Sequence, residues 1–272
     1  MKTDHVLGPF PKIMGIVNVT PDSFSDGGQF FDPEHAIAHG ERLIAEGADI
    51  LDIGGESTRP GAVPVDPQEE MRRVVPVIEA LAKKSPWISI DTRSSSVMEA
   101  AVSAGASIIN DVSALSHDPR SLDVAADASV PVILMHAQGT PVDMQKNPIY
   151  NNVVGDICEW LKGRILSCET HRIDASMLIV DPGIGFGKTI EDNVLILRNI
   201  KEFHSLECPV MLGTSRKSFI GALDRDDEVQ NRLGGSLSSV LWGHQNGVQI
   251  FRVHDVRETR QALKIYDEIA SS

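Results

Sequence analysis

Asp91 in ISIDTR, Asn110 in SIINDV and Asp181 in LIVDPGIGFGK each follow a short apolar run, so each is expected at a semi-buried strand end. Buried carboxylates and amides need partners. Two aspartates and an asparagine, with a lysine nearby, suit a planar ring that offers several N–H donors and a carbonyl. Any one of them alone reads equally well as a strand-end group capping a helix; the set argues for a site. The segment GTSRKSFIG, 213–221, is a second cluster. Glycine, hydroxyls and two cations leading into a helix make an anion site from backbone N–H groups, the helix dipole and positive charge. There Lys217 could hold a ring carbonyl or nitrogen, and Ser218 a carboxylate. Arg252 and His254 alternate in QIFRVHD and so face one side. An inward arginine needs an anionic partner, and its planar donor fork fits a diphosphate; pairing with Asp255 is the plainer alternative. Asn18, ending another apolar run, offers a hard oxygen that could ligate Mg²⁺ retaining most of its waters and sharing phosphate oxygens.

Residues so far apart can meet only if the fold brings strand ends together. Apolar runs at 12–18, 49–54, 87–91, 107–110, 131–136, 177–181, 209–213 and 248–253 alternate with helical stretches, the pattern of parallel strands buried on both faces. Eight such units predict a single-domain (β/α)8 barrel, whose strand ends all emerge on one face. An open doubly wound sheet is the competing topology. Asp32-Pro33 and Asp66-Pro67 read as helix starts, and Asp66 with Glu69 fits a capping box. Gly47, Gly105 and Gly247 read as helix ends. The connections 18–32 and 54–66 exceed ordinary βα turns and carry charged and hydroxyl groups beside the mouth, which suits lids or binding loops. The stretch 137–151 is a third long loop.

The chain of 272 residues has a formal net charge of −13, which argues against a nucleic-acid surface but not against a small anionic substrate. Three cysteines without a CxxC fit reduced thiols, and no apolar run is long enough for a membrane span. These features predict a soluble, cytoplasmic protein. GIGFG lacks the spacing of a dinucleotide fingerprint, and His136 in LMHAQG reads as a hydrogen-bonded core histidine rather than a ligand.

NVTPDSFSDGG, DIGGESTRPGA, SIDT, INDV, LMHAQG, DPGIGFGK, SRKSFIG and RVHDV, in this order across about residues 12–255, together closely resemble the bacterial dihydropteroate synthases. The resemblance implies a homodimeric barrel transferase of folate biosynthesis. Such an enzyme joins 4-aminobenzoate to 6-hydroxymethyl-7,8-dihydropterin pyrophosphate, releasing pyrophosphate. By motif it assigns pterin binding to Asp91, Asn110, Met135, Asp181, Phe186 and Lys217. It assigns the diphosphate to Asn18 with Mg²⁺, Thr58, Arg252 and His254, and the aminobenzoate to Phe24, Arg59, Pro60 and Ser218. Catalysis would fall to Asp26, Asp91, Lys217 and Arg252, with Asp26 and Arg59 on closing loops. A pterin-barrel methyltransferase would share the Asp/Asn floor without needing the diphosphate cations or the STRPGA loop. A silent pterin-binding paralogue would usually have lost lid or cation residues. Residues 232–239, RLGGSLSS, form helix poorly by propensity, but their small side chains permit close helix approach.

Overall fold

The computed structural model describes residues 7–9, 11–20, 33–57, 61–85, 87–139, 144, 146, 148–225 and 228–271. Eight parallel strands form one sheet: β1 Lys12–Asn18, β2 Ile50–Gly54, β3 Ile88–Asp91, β4 Ile108–Asp111, β5 Val132–Met135, β6 Leu178–Asp181, β7 Met211–Leu212 and β8 Ile250–Val253. Their order runs β6-β5-β4-β3-β2-β1-β8-β7, and a single parallel bridge between Val180 and Val210 joins the two ends into a barrel. The expected closed (β/α)8 architecture therefore forms, rather than an open sheet.

Helices α1 Pro33–Glu46, α2 Pro67–Leu81, α3 Ser95–Ala104, α4 Ser121–Ala128, α5 Val153–Thr170 and α6 Ile190–Arg198 follow the first six strands in turn. Two helices, α7 Ser218–Leu223 and α8 Leu233–Gln245, follow β7, and α9 Val256–Ala270 follows β8. Gly105 closes α3 in the left-handed region at φ 115°, and Gly47 and Gly247 follow α1 and α8 in the same way. The stretch 232–239 does enter a helix, and its glycine allows the predicted close approach. A Cβ on Gly235 would stand 2.2 Å from Ile220 Cγ2 of α7.

Asp66 caps α2, accepting from Gln68 N at 2.9 Å, with Pro67 at the first helical position. The capping box with Glu69 does not form, because that carboxylate is held by Arg72 and Arg73 instead. Asp66→Ala should cost about 1 kcal/mol, the usual worth of an N-cap side chain, and lower the urea midpoint without altering its slope.

Side-chain alternation along the strands decides where chemistry can sit. One parity, including Leu51, Ile53, Ile90, Leu134 and Val180, packs outward against helix residues such as Val74, Ile78, Ile157 and Leu161. The other parity faces the barrel axis. There Met14, Ile50, Ile108, Ile133, Ile179, Met211 and Ile250 fill the lower interior, closed by Leu7 and the partly buried Trp87. Two residues further along the same strands the inward positions turn polar: Asp52, Asn110, Asp181 and Arg252, with Met135 among them. Asp91 occupies the matching place on β3, paired in register with Gly54 and Asn110. The polar layer thus rests directly on an apolar plug.

Candidate active site

Arg252 organises the layer. Its Nε donates to Asp52 Oδ2 at 2.6 Å and its Nη2 to Asp91 Oδ2 at 2.8 Å, linking β8 to β2 and β3. Asn110 Nδ2 donates to both Asp52 oxygens at 3.2–3.3 Å, which extends the network to β4. Because Asn110 spends its amide donor there, its carbonyl oxygen stays an acceptor for a ligand. The plainer pairing of Arg252 with Asp255 does not occur: Asp255 is held by Arg216 Nε and Nη2. Of the two cations in SRK, Arg216 is therefore committed to the barrel wall, and Lys217 alone is turned to the ring slot.

Lys217 Nζ lies 4.0 Å from the centroid of the Phe186 ring, a cation–π contact across the two glycine-containing loops. Burial, then the neighbouring Arg252, pushes Lys217 down to about 8, while Asp181 and Asp91 oppose that shift. Asp181 is 4% exposed and accepts from Gly183 N at 2.7 Å through Oδ1, leaving Oδ2 for a ligand. Its carboxyl is raised by burial, against the Gly183 N–H and the charges of Lys217, Lys188 and Arg252. Asp91 is raised by burial as well, and the Arg252 guanidinium works to keep it ionised. Burial disfavours the Arg252 charge, but Asp52 and Asp91 outweigh it and hold the guanidinium above its ordinary range. Met135 is buried beside these groups at the end of β5, and Phe186 is half-buried on the loop after β6.

That loop can lie so close to the exit of β5 only because of its glycines. A Cβ on Gly183 would stand 1.9 Å from the His136 carbonyl oxygen, and one on Gly187 2.2 Å from that of Gln138. Both residues also have positive φ, at 69° and 61°. His136 is the core histidine expected from the sequence: Lys188 Nζ meets its Nδ1 at 3.0 Å. Burial, then Lys188, takes the ring down to about 3, so it is neutral.

His254 lies just past β8, its Nδ1 3.0 Å from Ser215 Oγ. Ser218 is exposed as the first residue of α7, and Asn18 is half-buried as the last residue of β1. The base of the second long loop is pinned by Glu56, which takes a bidentate pair from Arg93 at 3.0 Å and the Val65 N–H at 3.0 Å. Phe24, Asp26, Thr58, Arg59 and Pro60, expected at the mouth, lie outside the described residues. Asp111, adjacent to Asn110, has the opposite parity, and its carboxylate is consumed by the Ser113 N–H and hydroxyl and the Leu115 N–H. That residue closes the turn after β4 and is not part of the inward layer.

Asp52 was missed by the sequence reasoning, although it is fully buried and meets both Arg252 and Asn110. A signal existed: an acidic residue inside ILDIG, at the parity of Ile50, has no apolar role.

Comparison with known proteins agrees with this fold. The profile of the family described as pterin binding enzyme matches residues 14–254. Dihydropteroate synthase of Haemophilus influenzae is 46% identical over 263 residues, covering 96% of this chain and 95% of the relative. The solved structure of Xanthomonas albilineans dihydropteroate synthase with 4-aminobenzoic acid is similar at a TM-score of 0.91 and 48% identity, covering 97% of this chain and 94% of that one. A structure of dihydropteroate synthase from the same organism in complex with 7,8-dihydropteroate is similar at a TM-score of 0.87 and 45% identity, with 97% and 95% covered. With its polar layer at the barrel mouth and this match over almost its whole length, the chain belongs to the pterin binding enzyme family.

Proposed function

We infer that this chain is a transferase that condenses 6-hydroxymethyl-7,8-dihydropterin pyrophosphate with 4-aminobenzoate, giving 7,8-dihydropteroate and pyrophosphate for folate synthesis. The inward polar layer of Asp52, Asp91, Asn110, Asp181 and Arg252 on an apolar plug carries the reading, because it offers acceptors for ring N–H groups beside a cation. Asp181 and Asn110 accept from the pterin, Lys217 donates to its ring carbonyl or nitrogen, and Met135 and Phe186 line its slot. Arg252 and His254 bind the diphosphate with Thr58. The Nε and one Nη2 proton of Arg252 are engaged by carboxylates, which leaves its Nη1 group for phosphate oxygens. Phe24, Arg59, Pro60 and Ser218 shape the aminobenzoate site.

In the reaction the neutral amine nitrogen forms a bond to the pterin methylene carbon. The carbon–oxygen bond breaks, pyrophosphate leaves with the electron pair, and the new ammonium loses a proton to solvent. An arylamine is nucleophilic when neutral, so no strong base is required. The dihydropterin can share positive charge that develops at the methylene, and Asp91 and Asp26 stabilise it electrostatically. For Mg²⁺, Asn18 supplies one neutral oxygen, and no group of three His, Cys, Asp or Glu among the described residues could hold a metal. That donor set fits an ion carried largely by the diphosphate and water, with Asn18 as its protein ligand. Once bound, such an ion would neutralise charge on the leaving diphosphate.

The protein works as a homodimer in the cytoplasm in this reading. Exposed Leu195, Leu223, Val229 and Trp242 on and between α6, α7 and α8 supply apolar surface for a second copy. No helix among the described residues is long and apolar enough to cross a membrane.

Incubation of the purified protein with both substrates, followed by chromatographic detection of dihydropteroate, tests the function. Arg59→Ala should raise the KM for 4-aminobenzoate by about 10- to 100-fold, as for loss of one charge-assisted bond, and leave pterin affinity intact. Calorimetry showing equal loss of both ligands would remove Arg59 from that role.

A further inference from the structure

Lys188 is 2% exposed, an unusual depth for a lysine, and it has no role in the chemistry above. Its Nζ reaches His136 Nδ1 at 3.0 Å, the His136 carbonyl oxygen at 3.3 Å and the Phe186 carbonyl oxygen at 2.9 Å. An ammonium has three protons, and here it finds three acceptors. One set belongs to the exit of β5 and the other to the glycine loop after β6, so the side chain cross-links the two loops that carry Met135 and Phe186. His136 is itself fixed, its ring packed edge-on to Trp160 at 5.0 Å and 6.0 Å from Tyr150. Tyr150 completes the arrangement by donating its hydroxyl to the Gly187 carbonyl at 2.7 Å. Lys188 also lies within electrostatic range of Asp181.

We propose that Lys188 is a positioning residue for the pterin: it fixes the carbonyl of Phe186, and thereby the ring's slot, and its positive charge helps keep Asp181 ionised. The inference rests on the reading of Asp181 as a pterin ligand. The groups that bear on Lys188 are His136 after β5, Asp181 on β6, Lys217 after β7, and Asp192 on α6, with Tyr150 beyond His136. Burial pushes Lys188 down to about 7; Asp181 and Asp192 oppose that shift and Lys217 adds to it. Below that pH the lysine is charged, so it supports an ionised Asp181 where protonation would otherwise begin. Removing the charge lets Asp181 protonate at higher pH, and the acid limb of pterin binding moves upward.

The test compares Lys188→Met, which keeps length without donors, with Lys188→Gln, which keeps amide donors without charge. Pterin affinity is measured by calorimetry from pH 5 to 9, and turnover in parallel. Both variants should bind the pterin about tenfold more weakly below about pH 7, where Lys188 is charged, the effect of losing one nearby charge. Their acid limbs should shift to higher pH, and the loss should appear in KM, with kcat within about threefold of wild type. If the methionine variant does not fold, the glutamine variant decides. A folded Lys188→Gln protein with wild-type pterin affinity and an unmoved acid limb overturns the proposal, as does a loss confined to kcat. Wild-type protein that binds no pterin would instead overturn the functional reading beneath it.

Discussion

Asp181→Asn is expected to weaken pterin binding by about 10²- to 10⁴-fold, because it removes two charge-assisted hydrogen bonds of roughly 1.5–3 kcal/mol each. The buried carboxylate already accepts from Gly183 N, and its second oxygen is the acceptor that a ring N–H needs. An asparagine would place a donor against one of these donors, so the cost falls on the ligand, on the Gly183 turn, or on both. Burial raises Asp181, so affinity in the wild type should climb as pH rises through its folded value and level off above it. The variant should lose that dependence. Lys217→Ala should move in the same direction, since it deletes the cation held over Phe186. Calorimetric affinities equal to wild type for both variants would refute the pterin assignment.

Arg252→Met carries the second large effect, on both stability and activity. It strands Asp52 and Asp91, which are 0% and 8% exposed, without the guanidinium that bonds both. Removing one partner of a buried ion pair costs about 3–5 kcal/mol, most of it from the uncompensated charge left behind. The sign of the pH dependence follows. An aspartate whose folded pKa is raised binds more protons in the folded state, so stability falls as pH rises from its unfolded value toward its folded one. Burial already raises Asp91, and deleting Arg252 raises it further. The stability deficit of the variant should therefore be larger at pH 8 than at pH 5. Equal deficits at both pH values in thermal melts would show that Arg252 is not the compensating charge. Pyrophosphate release should be lost along with the Nη1 group available to the diphosphate.

Much of this was legible in the sequence because strands alternate and barrels gather strand ends. Asp91, Asn110, Asp181 and Arg252 could be read as inward groups from their apolar runs alone, and all four lie in the mouth. Periodicity could not show which of them bond to one another. The reach of Arg252 across the barrel to β2 and β3 depends on the order in which strands close, with β1 lying between β8 and β2. Asp52 escaped notice because a single acid within an apolar strand resembles an ordinary interruption until its parity is compared with Ile50. Likewise, SRKS suggested two cations for an anion, whereas the positive φ of Arg216, 59°, accompanies its diversion to Asp255. The capping box at Asp66 failed for a local reason, since two arginines compete for Glu69. The buried anchor at Lys188 was invisible because it joins residues 52 positions apart.

The most direct test of the proposed function is pyrophosphate release from the purified protein with dihydropterin pyrophosphate and Mg²⁺, with and without 4-aminobenzoate. Release that requires the arylamine and yields dihydropteroate in equal amount is the predicted result. Tight pterin binding with no arylamine-dependent release would contradict it and leave a binding protein without the transferase activity.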